Sequence, residues 1–116
     1  MSEYTIQGGN EELIAIAKKH HNDIILLDFM AVWCHPCQKL TPELHHLVKD
    51  INARANRRCN LILCKIDVDD QEDLAALYNV NSMPTLVWIS NMKQIHRVEG
   101  YKPDQIREFC MQKIIN

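Results

Sequence analysis

Cys34 and Cys37 stand two residues apart in the run DFMAVWCHPCQKLTP, with His35 and Pro36 between them and Trp33 in front. A thiolate, not a thiol, attacks a disulfide, so what such a pair can do depends on where its protons go. An apolar run leads into the pair and a helix-like pattern leads out. The first turn of a helix carries unpaired N–H groups and the positive end of the dipole, and both favour a thiolate. Cys34 should receive most of that help. Cys37, one turn further in, should be more buried and less acidic. One exposed acidic thiol and one sheltered thiol within bridging reach make a nucleophile and a resolver. Pro36 suits a first helical turn, where its missing N–H costs nothing. Asp28 is an acid inside the apolar run, and burial would raise its pKa. The strand and loop spacing could bring it beneath Cys37 to take up that thiol's proton; the alternative is an edge or bulge position in solvent.

These residues need a strand before them and a helix after them. The apolar run at 24–29 reads as a buried strand. Leu40, Leu44, Leu47, Val48 and Ile51 recur at helical spacing, which predicts a helix from the CHPC stretch to about 56, kinked at Pro42. Before them, Leu13, Ile16 and Ala17 share a helical face over 11–20, with Asn10 as N-cap. After them comes a polar break at 54–60, then a buried strand at 61–68. Asp69 and Asp70 are expected to cap a short helix carrying Leu74, Leu77 and Tyr78, with Asn79 near its end. Pro84 opens a strand at 85–89. The turn SNMK leads to an edge strand at 94–99, and Pro103 starts a last helix with Ile106, Phe109, Cys110 and Ile114 on one face. YTIQ, near the start, is a candidate fifth strand. The alternation describes an α/β domain with helices on its sheet.

The 116 residues fit one domain, 1–116, with 47% apolar and 24% charged residues, an ordinary globular balance. A net charge of −2 gives no reason to expect nucleic acid or a membrane as partner. The start, MSEYTIQGGN, has neither a basic nor an apolar segment of a secretory signal, so the expected location is cytoplasmic. Five cysteines, an odd number in a reducing compartment, argue against a closed disulfide framework.

WCHPC, with FMA before it and QKLTP after it, resembles the active site of the thioredoxin family, and the likeness covers nearly the whole chain. Asp28 matches the family's buried acid and Pro42 its helix proline. Lys65, in KIDVDD, matches the lysine beside that acid. Met83–Thr85 match the cis-proline loop, and Gly100 matches the glycine that closes the substrate groove. The resemblance implies a central mixed five-stranded sheet flanked by four helices. It implies thiol–disulfide exchange on protein substrates through a Cys34–Cys37 dithiol/disulfide cycle, with no bound cofactor or metal. Cys34 would attack; Cys37, helped by Asp28 and Lys65, would resolve. Trp33, Pro36, Met83, Pro84, Gly100 and Tyr101 would line a shallow groove. Reducing equivalents would come from NADPH through thioredoxin reductase.

His35 departs from the Gly-Pro usual in the family. An imidazole beside Cys34 favours the thiolate, stabilises the dithiol and makes the disulfide a stronger oxidant, so a potential less reducing than typical is expected. Two other functions compete: a disulfide oxidase or isomerase, favoured by His35, and a redox-gated module that docks a partner around Trp33 and Pro84. Val32 enlarges the apolar surface near the site. In SNMK the family's usual glycine is missing, and Asn91 can take the left-handed conformation.

Zinc on Cys34, Cys37, Cys59, Cys64 and His45–His46 would break the strand–helix–strand unit. Cys64 and Cys110 read as core, as do Trp88 and Phe109. Cys59, in the polar RRCN loop, is the thiol expected to be exposed, and could link a dimer of an otherwise monomeric protein. His20, His21, His45 and His46 read as solvated helix residues, and Arg54, Arg57 and Arg58 as a solvated basic turn.

Overall fold

The computed structural model describes all 116 residues. In chain order the elements are β1 (Glu3–Thr5), α1 (Gly9–Lys19), β2 (Ile24–Met30), α2 (His35–Asn52), β3 (Leu61–Asp67), α3 (Glu72–Leu77), β4 (Thr85–Ser90), β5 (Lys93–Glu99) and α4 (Pro103–Ile114). The five strands form one mixed sheet in the order β1-β3-β2-β4-β5. β1, β2 and β3 run parallel, while β4 and β5 are antiparallel to their neighbours. No helix is long and apolar enough to cross a membrane.

β2 is central, and all seven of its residues are buried. A strand covered on both faces has no polar side, which is why IILLDFM reads as an unbroken apolar run around one acid. Successive side chains go to opposite faces. Ile24 and Leu26 join a core with Leu40, Leu44, Leu47, Val48 and Ile51 of α2 and Ile106, Cys110 and Ile114 of α4. Ile25, Leu27 and Phe29 join a second core with α1 and Leu74 of α3. Asp28 has the parity of Leu26, so it belongs to the α2 face. The edge position of β5 agrees with its charged, half-exposed sequence.

α2 runs on through Pro42 and ends at Asn52, four residues earlier than its periodicity suggests. There the Asn52 amide accepts from Leu61 N–H at 2.8 Å and donates to Leu61 C=O at 2.9 Å, tying the helix end to the start of β3. Asn10 is not the cap of α1; Gly8 holds that position without a side-chain bond. Glu12 reaches back instead and accepts from Gln7 and Gly8 N–H at 2.8 and 2.7 Å. Nor do Asp69 and Asp70 cap α3. Gln71 is its N-cap residue, and its amide is turned toward α1, accepting from Gly9 N–H and donating to Gln7 C=O. Leu77 is exposed, because a helix of six residues buries only Leu74 fully. Asn79 and Asn91 take positive φ, as does Met92 beside the latter.

His21, His45, His46 and Arg58 are exposed as expected, whereas His20, Arg54 and Arg57 are less solvated than their sequence suggests. His20 closes α1 between Asp23 and the Tyr4 hydroxyl, half-buried. Arg54 pairs with Asp50, and Arg57 binds Asn60 and the Arg54 carbonyl. Leu26, fully buried on the central strand, makes the simplest test of the core. Leu26→Ala should cost about 3 kcal/mol, read by urea unfolding of the oxidised protein.

Candidate functional site

α2 starts where β2 ends, and Cys34 is its N-cap residue, with extended backbone at φ −85° and ψ 109°. Cys37 N–H donates to Cys34 Sγ at 3.2 Å. A helix-end donor therefore points at the Cys34 sulfur, an arrangement that favours a thiolate there. Pro36 lies in the first turn, and Gln38 ties that turn to the Val32 carbonyl at 2.7 Å. Cys34 and Cys37 are joined as a disulfide, with Cα atoms 5.3 Å apart.

The expected contrast between an exposed and a sheltered cysteine is not seen in this oxidised state. Cys34 is 5% exposed and Cys37 2%. Both pack with Met30 and Ala31, and Val68 and Met83 add partial cover. His35 and Pro36, between the two cysteines, are exposed.

Asp28 is 4% exposed, which rules out the solvent position. Parallel pairing of β2 and β3 sets it directly beside Lys65. Burial raises its pKa from 3.8 to about 7, although Lys65 and then His45 pull it down. A carboxyl that titrates near neutral pH can take up and give back a proton under ordinary conditions.

The residues expected to line a groove come mostly from three loops. Trp33 and Val32 are exposed at 65% and 67%. The Trp33 indole N–H donates to the Asp69 carboxylate at 2.7 Å. The Met83–Pro84 peptide is cis. Gly100 has φ +95°, a conformation that suits glycine, and its N–H donates to Pro84 C=O at 2.8 Å. The Tyr101 hydroxyl donates to Glu43 at 2.7 Å, which pushes its own pKa up, and Lys39 Nζ lies 5.1 Å from the ring centre.

The bond from Trp33 to Asp69 is not legible in the sequence. A cap was the simpler reading of two acids after a strand. The usable signal was topological: β2 and β3 run parallel, with Met30 beside Asp67, so their following loops must be neighbours.

The other thiols stand apart. Cys59 is not the exposed thiol expected; it is half-buried against the α2–α4 core, and burial pushes its pKa up. Cys64 and Cys110 are buried and pushed up to about 12. Cys110 Sγ also accepts from the Trp88 indole N–H at 3.2 Å. Cys64 belongs to the core on the α1 side and Cys59 packs on the other, so they cannot share a metal.

The raised pKa of Asp28 has a consequence for stability. The folded protein holds this proton more tightly than the unfolded chain does. Its contribution is therefore fully present below about pH 4 and declines as pH rises to about 7. Between pH 5 and 8 the oxidised wild type should lose about 2–3 kcal/mol more than Asp28→Asn does, measured by urea unfolding at both pH values.

The thioredoxin family model matches residues 10–112. Thioredoxin-1 of Caenorhabditis elegans is 36% identical over 108 residues, spanning 93% of this chain and 85% of that protein. The X-ray structure of Fasciola hepatica thioredoxin superposes with a TM-score of 0.82 at 29% identity, over 97% of this chain and 99% of that one. A thioredoxin from Nicotiana alata gives 0.83 at 26% identity, over 97% and 92%. A disulfide-bonded Cys34–Cys37 pair capping α2, on this sheet and with these relatives, makes the chain a member of the thioredoxin family, a thiol–disulfide oxidoreductase that reduces protein disulfides.

Proposed function

We propose that Cys34 is the attacking thiolate and Cys37 the resolving thiol of a cytoplasmic, monomeric protein-disulfide reductase, formed by residues 1–116 as one domain. The observation that carries this reading is the hydrogen bond from Cys37 N–H to Cys34 Sγ at the head of α2. In the reduced protein the Cys34 thiolate attacks a substrate disulfide, and one substrate sulfur leaves as a thiolate. Cys37 gives its proton to Asp28, whose carboxylate is held available by Lys65, and its thiolate then attacks Cys34 Sγ. The bond from Cys34 to substrate breaks, the Cys34–Cys37 bond forms, and two electrons have passed to the substrate. NADPH, through a thioredoxin reductase, returns them.

Trp33, Pro36, Met83, Pro84, Gly100 and Tyr101 form the substrate groove in this reading. The backbone at Met83 pairs with an extended substrate segment as an added strand would. The half-buried, high-pKa thiol of Cys59 counts against a Cys59-linked dimer. His35 is exposed next to Cys34, where it tunes the couple toward a weaker reductant.

Turnover with a model disulfide protein and thioredoxin reductase tests the scheme. Cys34→Ser should abolish exchange, while Cys37→Ser should hold substrate as a stable mixed disulfide detectable by mass. Normal substrate release from Cys37→Ser would overturn the two-thiol route. Equilibration in graded dithiothreitol buffers tests His35. His35→Gly should move the potential roughly 10–30 mV more negative, the size of one good charge–dipole contact. An unchanged or higher potential would remove His35 from the account.

A further inference from the structure

Asp28 forms part of the lining of a cavity of about 390 Å³ between β1, β3 and α2. Exposure rises steeply across it. Asp28 is buried at the inner end, whereas the His45 side chain is 49% exposed and that of Glu3 32%. His45 comes from α2 and Glu3 from β1, and their side chains pair through His45 Nδ1 and the Glu3 carboxylate. Two elements 42 residues apart thus meet at the outer end of the space that reaches Asp28.

The remaining charged and titratable groups lining this space have other partners or positions. Lys65, on β3, sits beside Asp28. Glu12, on α1, is occupied by the N–H groups of Gln7 and Gly8. The Tyr4 hydroxyl, on β1, is bonded to the His20 ring. Met1 brings the amino terminus to the rim. The Glu3–His45 hydrogen-bonded pair lines the same cavity as the buried acid.

We infer that His45, anchored by Glu3, is a positioning residue for the resolving step: whenever its ring is protonated, it sets a positive charge at the outer end of the cavity that Asp28 also lines. The inference rests on the proposed role of Asp28 as the proton acceptor of Cys37. A positive charge there favours the carboxylate, so Asp28 is ready to accept the Cys37 proton at a lower pH. The same charge makes it easier for Asp28 to return that proton to solvent after each cycle. His45 lies among the causes that lower the pKa of Asp28, behind Lys65. The three-residue strand β1 acquires a task in this account, since it carries the carboxylate that holds the imidazole in place.

The test reads Asp28 itself. Carbon-13 NMR of the Asp28 carboxyl in the oxidised, full-length protein, from pH 4 to 10, gives its midpoint without any turnover. His45→Gln removes the charge and should raise the midpoint by roughly half a pH unit. His45→Lys restores a charge and should bring it back to the wild-type value or below. The pH profile of the resolving step should follow the same order, read as release of thionitrobenzoate from its mixed disulfide with Cys34. A midpoint that does not move in His45→Gln, or that moves upward in both variants, overturns the inference. Either result leaves the reductase scheme standing, because that scheme is tested by exchange through Cys34 and by substrate trapping in Cys37→Ser, not by the Asp28 midpoint.

Discussion

Cys37 N–H reaches Cys34 Sγ because α2 begins where the central strand ends. That junction has to be held in place against the cost of ordering it, and the core does the holding. Leu40, Leu44, Leu47, Val48 and Ile51 bury one stripe of α2 against the sheet, and β2 is covered on both faces. The helix axis, and with it the direction of its first N–H groups, is therefore set by hydrophobic packing far from the sulfurs. Proline in the first turn removes a donor that would otherwise go unpaired. The Cα atoms of Cys34 and Cys37 then fall at a separation that permits a bond.

The same packing creates the site's main electrostatic cost. Side chains alternate along β2, so Asp28 has to share the α2 face with Leu26. Burial there pushes its pKa to about 7, and the register with β3 supplies Lys65 as partial compensation. An apolar residue would suit the core better. The carboxyl is tolerated where it is useful, beside a cavity that leads outward past His45 and Glu3. The proton-accepting role proposed for Asp28 would need such an outlet, and the short β1 strand makes one wall of it.

The surface proposed to meet a substrate is built mostly from loops. Trp33 and Val32 project from the β2–α2 junction, Met83 and Pro84 precede β4, and Gly100 and Tyr101 follow β5. Each is pinned from a different direction: Trp33 by Asp69, Gly100 by the Pro84 carbonyl, Tyr101 by Glu43. Bonds of this kind fix loop shape without closing the groove, which suits recognition through backbone rather than through deep pockets.

The order of elements, the placement of Cys34 and Cys37 at a strand–helix junction, the burial of Asp28 and the core positions of Cys64 and Cys110 could all be read from the sequence. Each follows from local periodicity, or from a residue type that has few stable environments. The resemblance carried by WCHPC and its companions added the sheet's composition and Lys65. The sequence reading failed where a side chain's partner lies far along the chain. Asp69 serves Trp33, 36 residues away, rather than its own helix; Gln71 serves Gly9, 62 away; His45 meets Glu3, 42 away. Even the shelter of Cys34 depends on Met83, from another loop. Local pattern determines what each segment becomes. The parallel register of β1, β2 and β3 decides which loops and edges become neighbours, and no single segment contains that information.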